Sequence, residues 1–188
     1  MQALVQPYQS AWKLEFDRLK NVLERALEGF AVDIQHVGST AVPGLVAKPI
    51  LDVDIIIHDK PLLEPIDQTL QQLGYRSRGE QGIPGRFAFR QSGVTTPHTA
   101  DGRAWMEHHL YVCFADSLAL KNHILFRDAL LQDPKLTEAY AQLKLNLVSQ
   151  PGMTRERYTT LKTEFILSVL NTAGLGQHEL AAIQEANR

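Results

Sequence analysis

The sequence lacks most of the features that would place a chain of this size in an oxidising or lipid setting. It holds a single cysteine, Cys113, so no disulfide can form within it, and a small domain stapled by disulfides is excluded. Cys113 sits in the apolar stretch Tyr111-Val112-Cys113-Phe114, where a small buried hydrophobe is expected rather than a catalytic thiol. No apolar run approaches membrane-spanning length, and Met1 to Ser10 has neither a basic n-region nor an apolar h-region. A cytoplasmic location is the resulting expectation. An excess of one charge is also missing. The 19 Lys and Arg against 21 Asp and Glu leave a net charge of -2, so no overall basic field draws the chain to nucleic acid. Internal repeats and low-complexity segments are absent as well.

What the chain does have is a core. With 188 residues, 44% of them hydrophobic, it is long enough to bury one without a metal or disulfide staple. Between Ser10 and Glu28, Trp12, Phe16, Leu19, Val22, Leu23, Ala26 and Leu27 recur at helical spacing before Gly29. Val32, Ile34 and His36 alternate as in a strand, and Ile50 to Ile57 is an apolar strand interrupted only by Asp52 and Asp54. A helix over Pro61 to Leu73, short strands near Tyr75 to Ser77 and Arg86 to Arg90, a loop over Ser92 to Arg103 and a strand over Trp105 to Phe114 follow. The remainder reads as helices over Ser117 to Gln132, Pro134 to Val148 and Thr154 to Asn171, then a short last helix, with Asp133 as an N-cap before Pro134. The expectation is one α/β (α+β) domain over 1–188: a mixed sheet with flanking helices over 30–115 and a helical C-terminal half over 116–188.

Alternation puts Asp52 and Asp54 on one face of their strand and Leu51, Val53 and Ile55 on the other. Two carboxylates side by side in an apolar setting repel unless a cation or hydrogen-bond donors compensate them, and Mg²⁺ (or Mn²⁺) shared with substrate phosphates is the usual solution. On that argument, neutralising either aspartate in the metal-free protein should leave the fold intact. Upstream, Gly38 and Ser39 follow a strand, and a glycine followed by hydroxyl residues lets backbone N–H groups approach a phosphate. The alternatives are an ordinary turn at Gly38 and capping or solvated roles for the aspartates.

The run His36-Val37-Gly38-Ser39-Thr40-Ala41-Val42-Pro43-Gly44-Leu45, followed by Ala47-Lys48-Pro49-Ile50-Leu51-Asp52-Val53, resembles the signature of the GrpB family, which is placed in the nucleotidyltransferase superfamily. The likeness runs over nearly the whole chain, through Arg86-x-x-x-Arg90, His108-His109-Leu110, Phe126-Arg127-Asp128, Tyr140 with Lys144, and Tyr158 with Lys162. It implies a nucleotidyltransferase-like fold in which Asp52 and Asp54 hold the metal and Gly38 and Ser39 seat phosphates. It also implies a third carboxylate on a later strand. Glu107, on the same expected face as His109, is the candidate for it; a solvent-facing strand residue is the other reading.

The remaining candidates are basic or aromatic. His108 and His109 are adjacent in a strand and point to opposite faces, which disfavours a shared zinc; His109 is then the phosphate or base contact and His108 and His36 are structural. Arg86 and Arg90 share a face, placed either to grip an oxyanion or simply to lie at the surface. Lys48 leads into the aspartate strand. Tyr140 and Lys144, and Tyr158 and Lys162, each lie one helical turn apart. They read either as a clamp on a triphosphate and base or as lysines snorkelling beside core aromatics. The function expected is metal-dependent transfer of a nucleotidyl group from a nucleoside triphosphate to a small-molecule or protein acceptor. The alternative is a non-catalytic nucleotide-binding or regulatory domain that keeps the fold.

Overall fold

The computed structural model describes residues 5–186; the first four and last two residues of the expected 1–188 domain lie outside the described residues. The elements are α1 (Ser10–Ala26), β1 (Val32–Val37), β2 (Leu51–Ile57), α2 (Leu63–Gln72), β3 (Tyr75–Ser77), β4 (Arg86–Gln91) and β5 (His108–Phe114). The helices α3 (Leu118–Gln132), α4 (Pro134–Ser149), α5 (Arg155–Thr172) and α6 (Gln177–Ala186) complete the chain. Short 3₁₀ turns at Ser39–Ala41 and Lys60–Leu62 connect β1 to β2 and β2 to α2.

The strands form one mixed sheet in the order β1-β2-β5-β4-β3. Only β2 and β5 are parallel; β1 pairs β2, β4 pairs β5, and β3 pairs β4 antiparallel. The register sets Asp52 opposite His109 and Asp54 opposite Tyr111. On one face Leu51, Val53, Ile55 and Ile57 of β2 and Leu110 and Val112 of β5 meet Trp12, Phe16, Leu19 and Leu23 of α1 and Ile66 and Leu70 of α2 in the main core. The period of two in β2 and the helical period in α1 therefore meet at one apolar layer. Because that layer consumes the odd-numbered residues of β2, the even-numbered Asp52 and Asp54 face the opposite side, where the helical half packs.

The helical half has smaller cores. Val42 and Leu45, from the loop after Gly38, pack with Leu130 of α3 and Tyr140 of α4. Leu170, Leu175, Leu180 and Ile183 join α5 to α6, and Leu147, Met153 and Tyr158 join α4 to α5. No helix among the described residues is long and apolar enough to cross a membrane.

The last strand is shorter than the period-two pattern suggests. Trp105 to Glu107 are outside β5, because Trp105 is held by its loop: its N–H donates to Val94 O (2.7 Å) and its Nε1–H to Pro97 O (2.8 Å). The capping expectation holds, with Asp133 Oδ1 accepting from Lys135 N–H (2.9 Å) and Leu136 N–H (3.2 Å). Asp133→Ala should therefore lower stability by about 1 kcal/mol. Urea unfolding at neutral pH measures this, and an unchanged midpoint would show that water replaces the cap without loss.

Candidate functional site

The site is built on the acidic face of β2. Asp54 is fully buried, and its Oδ2 lies 2.8 Å from Nδ1 of His123 on α3. Asp52, about a third exposed, is bound through Oδ1 to Nδ1 of His109 on β5 at 2.9 Å. Each aspartate thus has its own histidine, one from the neighbouring strand and one from the covering helix. Burial disfavours the charged form of His123, but the charge and hydrogen bond of Asp54, with Asp52 beyond, outweigh it and raise its pKa above the ordinary histidine value. One polar atom is left over: Asp54 Oδ1 is buried with no hydrogen-bond partner.

The Gly38 turn closes on this pair. Gly38 has φ +70°, and a Cβ there would lie 3.0 Å from Cβ and Cγ of Asp52 and closer still to its Oδ2. Backbone conformation and space both demand glycine. The following turn is fixed from below. His36 Nε2 lies 3.0 Å from Thr40 Oγ1, the His36 ring stacks on Phe16, and burial lowers its pKa to about 4, so it is a neutral structural group.

Lys144 reaches the same turn from α4. Its Nζ donates to Ser39 Oγ (3.0 Å) and to Val46 O, and packs 4.7 Å from the centroid of the Tyr140 ring. Lys162 of α5 lies 4.6 Å from the centroid of the Tyr158 ring, and Lys48 lies 6.0 Å from the same centroid. Ser39, Lys48, Asp52, His109, Lys144 and Lys162 all line one depression of about 220 Å³. Burial, and then the charge of Lys162, push the Lys144 amine from 10.5 down to about 7; burial, and then Lys48, lower Lys162 as well. The depression thus brings three lysines beside one carboxylate that is about a third exposed.

Four expected members do not join it: Tyr140, Glu107, Arg86 and Arg90. Tyr140 is only 3% exposed and stacks on Phe165 (4.9 Å) with Phe126 edge-on (5.2 Å), so it is a core residue and is not available to bracket a base. Its partner Tyr158, the other half of the repeated pair, does line the depression. Glu107 is exposed, sits before β5, and opens with Arg90 and Tyr111 into a neighbouring hollow of about 830 Å³ that shares His109 with the depression. Tyr111, not a carboxylate, stands opposite Asp54.

Arg86 and Arg90 occupy one face of β4, as Phe87 and Phe89 pack on the core side, but they part company along it. Arg90 belongs to the hollow of Glu107, whereas Arg86 lies 4.5 Å over the Tyr111 ring with its Nε buried and unpartnered. His108 is structural: its Nδ1 pairs with Met106 O (2.9 Å) and its Nε2 with the Tyr75 hydroxyl (2.6 Å), and burial lowers its pKa to about 4. Met106 O can only accept, so Nδ1 carries the proton and the Tyr75 hydroxyl donates to Nε2. The site residue that sequence reading missed is His123. Its signal was faint: the polar step Asn122-His123 in an apolar helical run, with a partner 69 positions away.

A five-stranded mixed sheet with helices packed over both faces is a nucleotidyltransferase-like fold. The fold is shared with the Cid1 poly(U) polymerase in its MgGTP-bound structure, at TM-score 0.50 and 13% identity, over 76% of this chain and 45% of that one. More specifically, the chain belongs to the GrpB family, whose model, "GrpB protein", matches residues 2–172. The crystal structure of the conserved protein GrpB from Enterococcus faecalis superimposes at TM-score 0.73 with 28% identity, covering 90% of this chain and 96% of that one. The YqkA protein of Bacillus subtilis is 31% identical over 159 residues, 85% of this chain; the chain spans 43% of YqkA's length.

Two outcomes follow from the geometry. Gly38→Ala should cost more than about 1 kcal/mol, because it adds a Cβ at positive φ against Asp52; an unchanged urea midpoint would mean that Asp52 has room to move. The second concerns Lys144. Its folded pKa lies below its unfolded one, so between about 7 and 10.5 the folded state binds fewer protons than the unfolded state. Stability contributed by this group must then rise with pH across that window. Unfolding free energy measured at pH 7.5 and 9 should climb less steeply in Lys144→Met than in the parent protein; equal slopes would contradict the assignment.

Proposed function

We propose that the chain transfers a nucleotidyl group from a nucleoside triphosphate, with Mg²⁺ or Mn²⁺, to a small-molecule or protein acceptor. The observation that carries this reading is the bare oxygen of Asp54. A fully buried carboxylate with one unpartnered oxygen, beside a second carboxylate on the same strand face, is a costly arrangement that a divalent cation relieves. The donor set fits. Among the described residues no three His, Cys, Asp or Glu form a complete metal cage, and Mg²⁺ typically takes one or two carboxylates and completes its shell from substrate phosphates and water.

Asp52 and Asp54 would hold the ion, which supplies neutralisation of charge on the transferred phosphoryl oxygens when bound. The chain's own residues do the rest. Gly38 leaves the space that the Asp52 carboxylate occupies, and Ser39 Oγ with the Lys144 ammonium offers polar groups to a phosphate in the adjoining depression. Lys48 and Lys162 balance the remaining negative charge of the triphosphate, and the largely buried Tyr158 ring beside both holds them at the edge of the depression. His109 orients Asp52 and His123 orients Asp54. The helical half shields this face from bulk water, which strengthens each of these interactions.

One observation favours a second reading. With Tyr111 opposite Asp54 and Glu107 exposed beyond the strand, no third carboxylate lies on β5 beside the pair. A nucleotide-binding or regulatory domain without turnover would look the same.

Calorimetric titration with ATP, GTP, CTP and UTP, in Mg²⁺ and then in EDTA, separates these. The nucleotidyltransferase reading expects saturable binding that needs the metal, and release of pyrophosphate once an acceptor is supplied; the binding-domain reading expects affinity with no product. Asp52→Asn should weaken metal-dependent binding by at least about tenfold while changing stability little, since its partly exposed pair with His109 is worth about 0–1 kcal/mol. Asp54→Asn is different. It turns a buried charge-assisted bond to His123 into a neutral one and should cost up to about 1.5–3 kcal/mol, which corrects the expectation that either aspartate could be neutralised freely. Equal affinity in EDTA, or in Asp52→Asn, would remove the metal reading.

A further inference from the structure

Beyond the phosphate seat, a second cavity opens on the other side of the aspartate pair, at the carboxyl ends of the parallel strands β2 and β5. Its volume is about 610 Å³, and its walls include Ile83, Pro84, Phe114, Leu118 and Ile183. That is within the range of about 300–1,000 Å³ common to small-molecule sites, and the mix of an apolar wall with a few convergent polar groups is their usual character.

The polar groups lie together. Arg86 enters the cavity from β4 with its guanidinium over the Tyr111 ring and its Nε buried without a partner. It forms no ion pair among the described residues. Of the two carboxylates in the lining, Glu80 is taken up by the Gly85 N–H at 2.7 Å, and neither Glu80 nor Asp116 pairs with Arg86. The 15-residue helix α3 begins in the same wall. Its cap, Ser117 Oγ, accepts from Leu120 N–H (3.3 Å), so the amides of Leu118 and Ala119 keep no intrahelical acceptor. A partly buried guanidinium with a bare N–H beside a helix N-terminus is a set of donors awaiting an oxyanion. His123 closes the inner end, with its Nδ1 turned to Asp54.

We propose that this cavity binds the acceptor, and that the acceptor is a small amphipathic acid: an apolar body against Phe114 and Leu118, a carboxylate on Arg86 and the α3 amides, and its reactive end directed past His123 toward Asp54. This assignment rests on the nucleotidyltransferase reading, and it accounts for what that reading leaves open, a place for the second substrate that does not overlap the lysine-lined seat. The two cavities share no lining residue; Asp52 lines the lysine-rich one, and His123, which holds Asp54, lines the other.

The test titrates the ¹⁵N-labelled full chain with 3-phenylpropanoate and, separately, with its neutral amide. Saturable shifts at Gly85, Phe114, Leu118 and Ala119 are expected with the acid, with affinity for the amide weaker by about tenfold or more. Arg86→Met should abolish the preference for the acid. Ala182→Phe, a change at an exposed residue of the cavity wall, should block both compounds while the rest of the spectrum reports an intact fold. MgATP is added to the acid-saturated protein in the same series, and both should bind together. No saturable shifts, shifts centred elsewhere, equal affinity for acid and amide, or acid binding that survives Ala182→Phe would overturn the proposal; so would displacement of the acid by MgATP. Failure of the nucleotidyltransferase reading shows separately, as absence of Mg²⁺-dependent ATP binding in the parent protein whatever the acid does.

Discussion

A carboxylate at the centre of a sheet, cut off from solvent and two residues from another on the same face, has to be compensated from outside its own strand, and Asp54 imposes that requirement on this chain. The apolar face of β2 is committed to the core with α1 and α2, so compensation can only come across the other face. It comes from His123 of α3 for Asp54 and from His109 of β5 for Asp52. Placing α3 there also brings Arg127 to the β1 end, where its guanidinium donates to Gln35 Oε1 (2.8 Å) and His36 O (3.0 Å). Polar bonds from α3 to β1 and β2 thus add to the hydrophobic contacts that dock the helical half on the sheet.

The compensation is incomplete in a way that points to ligands. One oxygen of Asp54 and one nitrogen of Arg86 are buried without partners. Native structures pair the great majority of buried polar atoms, so two orphans of opposite character on one sheet face call for an explanation. Under the proposed function a cation answers the first and an oxyanion the second. Lysine burial in the adjoining seat argues the same way. Two amines whose pKa values burial lowers are costly to keep near each other, and under the proposed function a polyanion between them offsets that cost by restoring their charge.

Much of this was legible in the residues themselves. Period-two alternation fixed which face of β2 carried Asp52 and Asp54, and the glycine-serine turn before it was recognisable from a strand followed by Gly38, because no other residue type tolerates that approach to Asp52. Helix limits and the Asp133 cap were readable for local reasons. What was not legible depends on distance in sequence. The two tyrosine-lysine pairs look alike at one helical turn of spacing, yet Tyr140 is enclosed by Phe126 and Phe165 while Tyr158 reaches the depression, a distinction set by packing between α3, α4 and α5. The bond from His123 to Asp54 and the separation of Arg86 from Arg90 depend likewise on how the helices and the β4 edge come together. The strand expected from Trp105 shortened because loop hydrogen bonds to Val94 and Pro97 claimed its first residues.

The central claim is that the two aspartates form a divalent-cation site, and paramagnetic broadening by Mn²⁺ tests it without reference to any substrate. With nucleotide present and substoichiometric Mn²⁺ added, the ring signals of His109 and His123 should broaden first among the histidines, because each ring is bonded to one of the two carboxylates. Those of His58, His98 and His178 should persist. Broadening that is uniform across all the histidines, or centred on any other group of them, would contradict the account.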